Sequence, residues 1–261
     1  MGHAPLSALD CNYLDASRVF AGSSDTGEYL ERKDVAIASC GLPVEPLNFG
    51  FLKPPYNDLG PTVAAVRSYF SARKLPFRLT FRHPPRDDDL QRRIAELVSG
   101  KWRCMDDPTP GLSRDIPAAA PALPSGLTIE IVRTPERLVA FREAAFRAFG
   151  FPVKASQLFL NDRLLTFPHL RVYSGLVDGE VVATSMLIAT GYVAGIYWVG
   201  TLEEKRGRGY AEALTWAAAV GGRDLGCEIA SLQSSKMGRR VYERMGFDHV
   251  LDYRHLLPPE S

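Results

Sequence analysis

VGTLEEKRGRGYA, Val199 to Ala211, is the stretch on which the reading of this chain turns. The run Ile196-Tyr197-Trp198-Val199 before it reads as the end of a strand. A charged loop, Glu203-Glu204-Lys205, leads into Arg206-Gly207-Arg208-Gly209-Tyr210-Ala211, and an Ala-rich helical pattern runs on to Asp224. Glycines and arginines therefore stand at the start of a helix. The first turn of a helix carries backbone N–H groups without partners and the positive end of the dipole. Small residues there let a phosphate approach the backbone, so the local chemistry points to a pyrophosphate cradle. The competing reading is an ordinary basic helix start facing solvent. A Walker A run, G-x-x-x-x-G-K-[ST], is absent. The dinucleotide fingerprint fails because Glu212 stands where its third glycine belongs.

Downstream, a second pattern follows one helix and one strand later: Ser235-Lys-Met-Gly238-Arg-Arg-Val-Tyr242-Glu-Arg-Met-Gly246-Phe247. The first stretch resembles the R/Q-x-x-G-x-G/A signature of GNAT-type N-acetyltransferases through Arg206, Gly209 and Ala211. The second resembles that family's N-x-x-A-x-x-x-Y-x-x-x-G-F, with Ser235 in place of Asn and Gly238 in place of Ala. The resemblance covers the chain from 127 onward. It implies an α/β protein with a mixed sheet, the GNAT acyl-CoA N-acyltransferase fold, and acetyl-CoA as cosubstrate without a metal. It implies that the loop Arg206, Gly207, Arg208, Gly209, Tyr210 and Ala211 holds the coenzyme pyrophosphate. The strand end Val199, Gly200 and Thr201 would pair with the pantetheine amides as an added strand does. Gly200 would keep a side chain out of the coenzyme's way, and Ser235 would touch the pantetheine arm.

The family's amine attacks the thioester directly, through a tetrahedral intermediate and without an acyl-enzyme, which gives Tyr242 the role of general acid. A phenol titrates near 10 and a free thiol near 8.5, so the phenol is protonated at neutral pH and can protonate the leaving sulfur. The bland alternative is a packed aromatic one turn before Gly246. No general base is assigned: Glu203 and Glu204 belong to a solvated loop, and Glu228 lies on the next strand. Trp198 and Phe151 are read as core, with an apolar acceptor pocket as the sharper alternative.

The pattern around these motifs agrees with the resemblance. Leu127–Val132 alternates as a strand. Thr134-Pro135-Glu136 starts a helix that carries Leu138, Phe141, Ala145 and Phe149 on one stripe. A short helix is expected over 156–162. Leu170–Val177 and Glu180–Ala189 flank the hairpin turn Asp178-Gly179. Strands over 191–199 and 227–233, a helix over 236–245, and short strands at Phe247 and 252–257 complete an order of β, α, α, β, β, β, α, β, α, β, β.

The first third is less regular. Helices are expected over 14–20, from Pro61, and from Asp87-Asp88-Asp89 through Leu97; strands over 34–39, 47–52 and 77–81. Pro108, Pro110, Pro117, Pro121 and Pro124 make 106–126 read as a Pro/Ala-rich linker, unable to hold a central strand. This divides the chain into 1–105, 106–126 and 127–261. Arg92-Arg93-Ile94-Ala95-Glu96 reads like Arg239-Arg240-Val241-Tyr242-Glu243, 147 positions later. The same offset sets Ala64 on Ala211, Tyr69 on Trp216 and Pro54 on Thr201. Residues 1–105 are thus inferred to be a degenerate copy, in which Leu59, Thr62 and Ala95 replace Arg206, Gly209 and Tyr242. It would pack against the working half and close one side of the acceptor pocket, as in tandem GNAT proteins.

Composition sets the outer bounds. Of 261 residues 46% are apolar, enough for packed cores, and the net charge of +1 gives no pull toward nucleic acid or an anionic membrane. Cys11, Cys40, Cys104 and Cys227 form no C-x-x-C pair and read as free thiols. No secretory leader or spanning segment is evident, so a cytoplasmic protein is expected. The acceptor is expected to be a small-molecule or peptide amine, and the protein a monomer or homodimer. The alternatives are a non-catalytic acyl-CoA-binding sensor or scaffold module, and an enzyme of the same fold using a longer acyl donor.

Overall fold

The computed structural model describes residues 6–56, 59–83, 92, 94–97 and 100–259. Helix α1 (Leu6–Gly22) opens it and is longer than the expected 14–20. Strands β1 (Glu28–Glu31), β2 (Val35–Ser39) and β3 (Asn48–Leu52) lead to α2 (Leu59–Arg73) and β4 (Arg78–His83). Every residue of β2 and β3 is buried, as strands covered on both faces require. Residues 94–97 are helical, and most of the helix expected from Asp87 lies outside the described residues.

Strands β5 (Arg103–Cys104) and β6 (Thr109–Asp115) follow. The second half holds β7 (Thr128–Val132), α3 (Pro135–Phe149), the single turn α4 (Ser156–Phe159), β8 (Leu170–Val177), β9 (Glu180–Thr190) and β10 (Val193–Thr201). Helix α5 (Tyr210–Arg223), β11 (Ile229–Gln233), α6 (Arg239–Arg244) and β12 (Asp248–Leu257) complete it. Thr134 caps α3, its hydroxyl accepting from the Arg137 N–H at 3.4 Å, with Pro135 in the first turn and Gly150 closing the helix at φ +71°. Asp178 and Gly179, both at positive φ, turn β8 back into β9.

All 12 strands join one mixed sheet, ordered β1-β2-β3-β4-β12-β6-β11-β10-β9-β8-β7, with β5 also against β12. The two halves repeat one pattern. In the first, β1/β2 and β2/β3 are antiparallel, and β3/β4 is parallel across α2. In the second, β8/β9 and β9/β10 are antiparallel, and β10/β11 is parallel across α5.

The seam corrects the expected linker. Residues 109–115 are a central strand: β6 pairs with β11 on one side and β12 on the other. Pro110, which has no N–H, sits next to the start of β6 and uses its carbonyl to accept from Ser234 N–H at 2.9 Å. Gly111 leaves room for Leu251, whose Cδ1 would lie 2.6 Å from an added Cβ. The extended stretch without strand or helix is confined to 116–127. The halves thus exchange their last strands: β6 follows the first half and lies beside β11, while β12 follows the second and reaches β4 and β5. In place of two short terminal strands, β12 is one strand with a register shift between His249 and Leu251.

Helix α1 ties the halves together on one face. Asn12 is buried, and its amide donates to the Ile188 carbonyl at 2.9 Å and to the Thr190 hydroxyl at 3.1 Å. Its Oδ1 occupies the space that a Cβ at Gly195 would need. Tyr253 Oη donates to Asp10 at 3.1 Å, and Arg82 pairs with the same carboxylate at 3.0 Å. Burial raises the Asp10 pKa to about 6, with Arg82 pulling the other way.

Candidate active site

Strands β10 and β11 run paired only from Val193/Ile229 to Ile196/Leu232. Past that point they part. The cause is in β10: its register against β9 shifts between Tyr197 and Gly200, Trp198 takes φ +53°, and the Trp198 carbonyl turns to accept from the Thr184 hydroxyl at 2.9 Å. The edge of Val199–Thr201 that faces β11 therefore has no strand partner and borders a cavity of about 530 Å³.

The cavity runs on to the start of α5. Gly207 and Gly209 have φ +76° and +78°, a region that disfavours side chains, and Gly209 is the residue immediately before the helix. No backbone acceptor is recorded for the N–H groups of Gly207 through Ala211. They form the donor cluster that a helix start offers to an anion. Lys205, Arg206 and Arg244 add positive charge to the walls, against Glu212.

Of the residues singled out in the sequence, Val199, Gly200, Thr201, Arg206, Gly207, Gly209, Tyr210, Ala211, Ser235 and Tyr242 all line this one cavity; Arg208 does not. The Arg206 guanidinium braces the loop, donating to the carbonyls of Thr201 and Ala148 at 3.3 Å each. The Arg206 N–H also donates, to the Glu203 carbonyl at 3.3 Å, which leaves the amides from Gly207 onward, rather than Arg206 itself, for an anion. Gly200 also has a packing reason. An added Cβ there would stand 2.8 Å from Ala148 Cβ, so the glycine admits the end of α3. Phe149, expected on the buried stripe of α3, is 45% exposed and lies at the cavity wall. Lys205, Ala148 and Arg244 were not anticipated: the first sits in a loop read as solvated, and the others arrive from elements that no local pattern links to the loop.

Tyr242 reaches the cavity from α6. Ser235 accepts from the Gly238 N–H at 3.1 Å and so shapes the turn before that helix, while its own hydroxyl proton stays available. An alanine at Gly238 would press to 3.0 Å against the Tyr242 ring, which accounts for the departure from the alanine of the motif. Burial pushes the Tyr242 phenol up to about 12, with the Thr215 hydroxyl acting weakly against it. The phenol is fully protonated at neutral pH. Glu212 lines the cavity at the start of α5, whereas Glu204 pairs with Arg147 on the surface and Glu228 is exposed at the far end of β11.

A second cavity, about 300 Å³, lies under α1 between the halves. Phe149 lines both cavities. Trp198 and Gln233 line this one, and their close neighbours Val199 and Ser235 line the first, so the two meet where β10 and β11 part. Its walls are aromatic. Trp198 stacks on Phe146 at 5.6 Å and 9°, and meets Phe149, Phe159 and Phe20 at 5.1, 5.6 and 6.3 Å.

The first half differs at the matching place. Leu59, which aligns with Arg206, is already the first residue of α2 and is buried in its core. Thr62, aligned with Gly209, donates its hydroxyl to Asp34, whose carboxylate is held below its usual range first by that bond. A side-chain anion of the protein thus sits beside the first turn of α2, where the second half presents free amides.

A splayed parallel pair, a glycine-led helix start beside it and a phenol across the gap meet in this one cavity. Residues 138–247 match the model of the acetyltransferase (GNAT) family. Solved structures share the fold over nearly the whole chain. A GCN5-related N-acetyltransferase from Kribbella flavida is 19% identical with a TM-score of 0.69, over 99% of this chain and 98% of that one. Another from Sphaerobacter thermophilus is 18% identical with a TM-score of 0.63, over 89% and 84%. A tandem GNAT protein from the clavulanic acid biosynthesis pathway is 14% identical with a TM-score of 0.58, over 100% and 98%. At these identities the likeness is one of fold. No curated protein matches the chain. No described helix is long and apolar enough to cross a membrane.

Proposed function

We propose that the protein is an acetyl-CoA-dependent N-acetyltransferase whose working site lies in the second half. The observation that carries this is the convergence, in one cavity, of the unpaired β10 edge, the free amides before α5 and the Tyr242 phenol. Residues Gly207 to Ala211 are suited to the pyrophosphate, and the Val199 edge to the pantetheine amides; the Thr201 carbonyl is already taken by Arg206. Lys205 and Arg244 complement the coenzyme's remaining negative charge.

In the reaction, the lone pair of a neutral amine attacks the thioester carbonyl carbon. A C–N bond forms and the C–S bond breaks. Sulfur takes the bonding pair and a proton from Tyr242, and the nitrogen releases one proton to solvent, which restores the phenol. The products are an amide and a free thiol. The high phenol pKa makes Tyr242 a poor acid toward a thiolate in water. The same desolvation acts on the departing sulfur, which carries its charge in the same cavity, so the two shift in the same direction. The first half shows no comparable donor cluster among its described residues and serves as a packing partner.

The test is calorimetric titration with acetyl-CoA, beside an Arg206→Ala/Gly209→Asp double variant, coupled to release of free thiol in the presence of amines. One site per chain, lost in the double variant, and amine-dependent thiol release are expected. Binding without turnover on any amine would favour the sensor or scaffold reading. Two sites would contradict the silent first half.

A further inference from the structure

We propose that the aromatic cavity under α1 receives the acceptor, and that the acceptor is a primary monoamine on a planar aromatic body. This rests on the acetyl-transfer reading above and adds the substrate class to it.

Position comes first. The cavity adjoins the proposed coenzyme cleft where β10 and β11 part, with Phe149 lining both. A ligand lodged there can present an amine to the carbonyl held at the Val199 edge. Both halves build it: Phe20 and Phe49 come from the first, Phe159, Tyr197 and Trp198 from the second.

Shape and surface come next. A volume of about 300 Å³ suits a one- or two-ring molecule and is at the small end for a ligand site. The walls present aromatic faces and edges, with Phe20 standing at 82° to both Tyr197 and Trp198. Edge-to-face contacts of this kind favour another ring over a flexible aliphatic chain.

Charge decides between amines. Among the described residues no carboxylate lines the cavity, and Arg78 is the one charged lining side chain. Its Nε lies 3.5 Å from Glu45, outside the lining, and it makes no other recorded polar contact. His255 adds no charge, since Thr80 and Thr109 hold its two ring nitrogens at 3.0 and 2.9 Å and burial, then Arg78, depress its pKa to about 3. A second ammonium would be buried without a partner and beside a guanidinium. Diamines and polyamines are therefore excluded. The same environment disfavours the ammonium form of a monoamine, which sheds its proton to water on the way in and arrives as the nucleophile. That assigns a physical source for the neutral amine in a cavity with no carboxylate among its described lining residues.

The experiment compares kcat/KM for 2-phenylethylamine, hexylamine and 1,4-diaminobutane on the full chain, with acetyl-CoA affinity measured separately. We expect 2-phenylethylamine to exceed 1,4-diaminobutane by about 100-fold and hexylamine by about 10-fold. Phe20→Leu should raise the KM for 2-phenylethylamine about 5-fold with acetyl-CoA affinity unchanged. Arg78→Gln should narrow the discrimination against the diamine about 10-fold. If acetyl-CoA binds but the diamine is the better substrate, or no 2-phenylethylamine is acetylated, the inference is wrong while the coenzyme reading stands. If Phe20→Leu folds, binds acetyl-CoA and leaves every KM unchanged, the cavity is not the acceptor site. Failure of acetyl-CoA to bind the unaltered protein overturns the proposed function and this inference with it.

Discussion

The Tyr197 hydroxyl donates to Asn12 Oδ1 at 2.6 Å, across 185 residues of chain. Tyr197 precedes the residue that bends β10 away from β11, and Asn12 belongs to the helix that covers the second cavity. One hydrogen bond therefore links the first half to the strand on which the acetyl-transfer reading depends. Because the Asn12 amide also donates to Ile188 and Thr190, its removal strands several buried polar groups. Asn12→Ala should destabilise the protein by about 2–4 kcal/mol, and Tyr197→Phe by about 1 kcal/mol. Urea unfolding of both single variants and the double variant should show non-additivity; simple additivity would deny the coupling.

Gly209 sits at φ +78° with no crowding that forbids a methyl group. Gly209→Ala should cost about 1 kcal/mol in stability, and weaken acetyl-CoA binding by roughly 10-fold or more as the loop amides tilt. Calorimetry reads the affinity and thermal unfolding reads the strain. Unchanged affinity would remove the loop from the coenzyme site.

For Tyr242→Phe, kcat should drop by about 100-fold with acetyl-CoA affinity held within a few-fold. The ring stays packed against Phe247 at 6.0 Å, so a loss of fold is not expected. Equal kcat in the variant would return Tyr242 to the role of a packed aromatic.

Gly200→Ala places a methyl group against Ala148 and should destabilise by about 1–3 kcal/mol. Adding Ala148→Gly should restore part of that loss, as measured by urea midpoints. Without any rescue, the close approach of α3 is not the reason for the glycine.

His255 gives the stability a defined acid limb. It is neutral when folded, with a pKa near 3 against 6.5 in the unfolded chain. Below pH 6.5 the unfolded state takes a proton that the folded state refuses, so stability falls as pH falls toward 3. Between pH 6.5 and 5 the loss from this group is about 2 kcal/mol. Asp10 acts oppositely: raised from 3.8 to about 6, it makes stability decline as pH rises through that range. Comparing the native chain with His255→Gln at pH 5 and 7 isolates the histidine. The variant should lose less on acidification, and parallel curves would refute the assignment.

Much of the candidate site is legible in the sequence because its parts are local. A glycine-led helix start needs only adjacent residues, and Tyr242 lies one turn before a glycine that ends its own helix. The capped start of α3 at Thr134 and the turn at Asp178-Gly179 are also short-range chemistry. Phe149 is different: helical spacing puts it on the stripe of Leu138 and Phe141, yet it lies at the last turn, beyond the part of α3 that the sheet covers. The purpose of Gly200 is equally hidden, since Ala148, the atom that demands it, is 52 positions away.

By itself the sequence determined most elements of the second half and the order of its two motifs. Periodicity, caps and turn residues act over a few positions and need no partner. Only the tertiary structure decided that residues 109–115 are a central strand, that the halves exchange their last strands, and that α1 roofs an aromatic cavity beside the cleft between β10 and β11. A strand with two prolines in its neighbourhood is stable only because β11 and β12 supply its hydrogen bonds from more than a hundred residues away. Such pairings, like the meeting of Asn12 with Tyr197, are energies between distant segments, and no local pattern carries them.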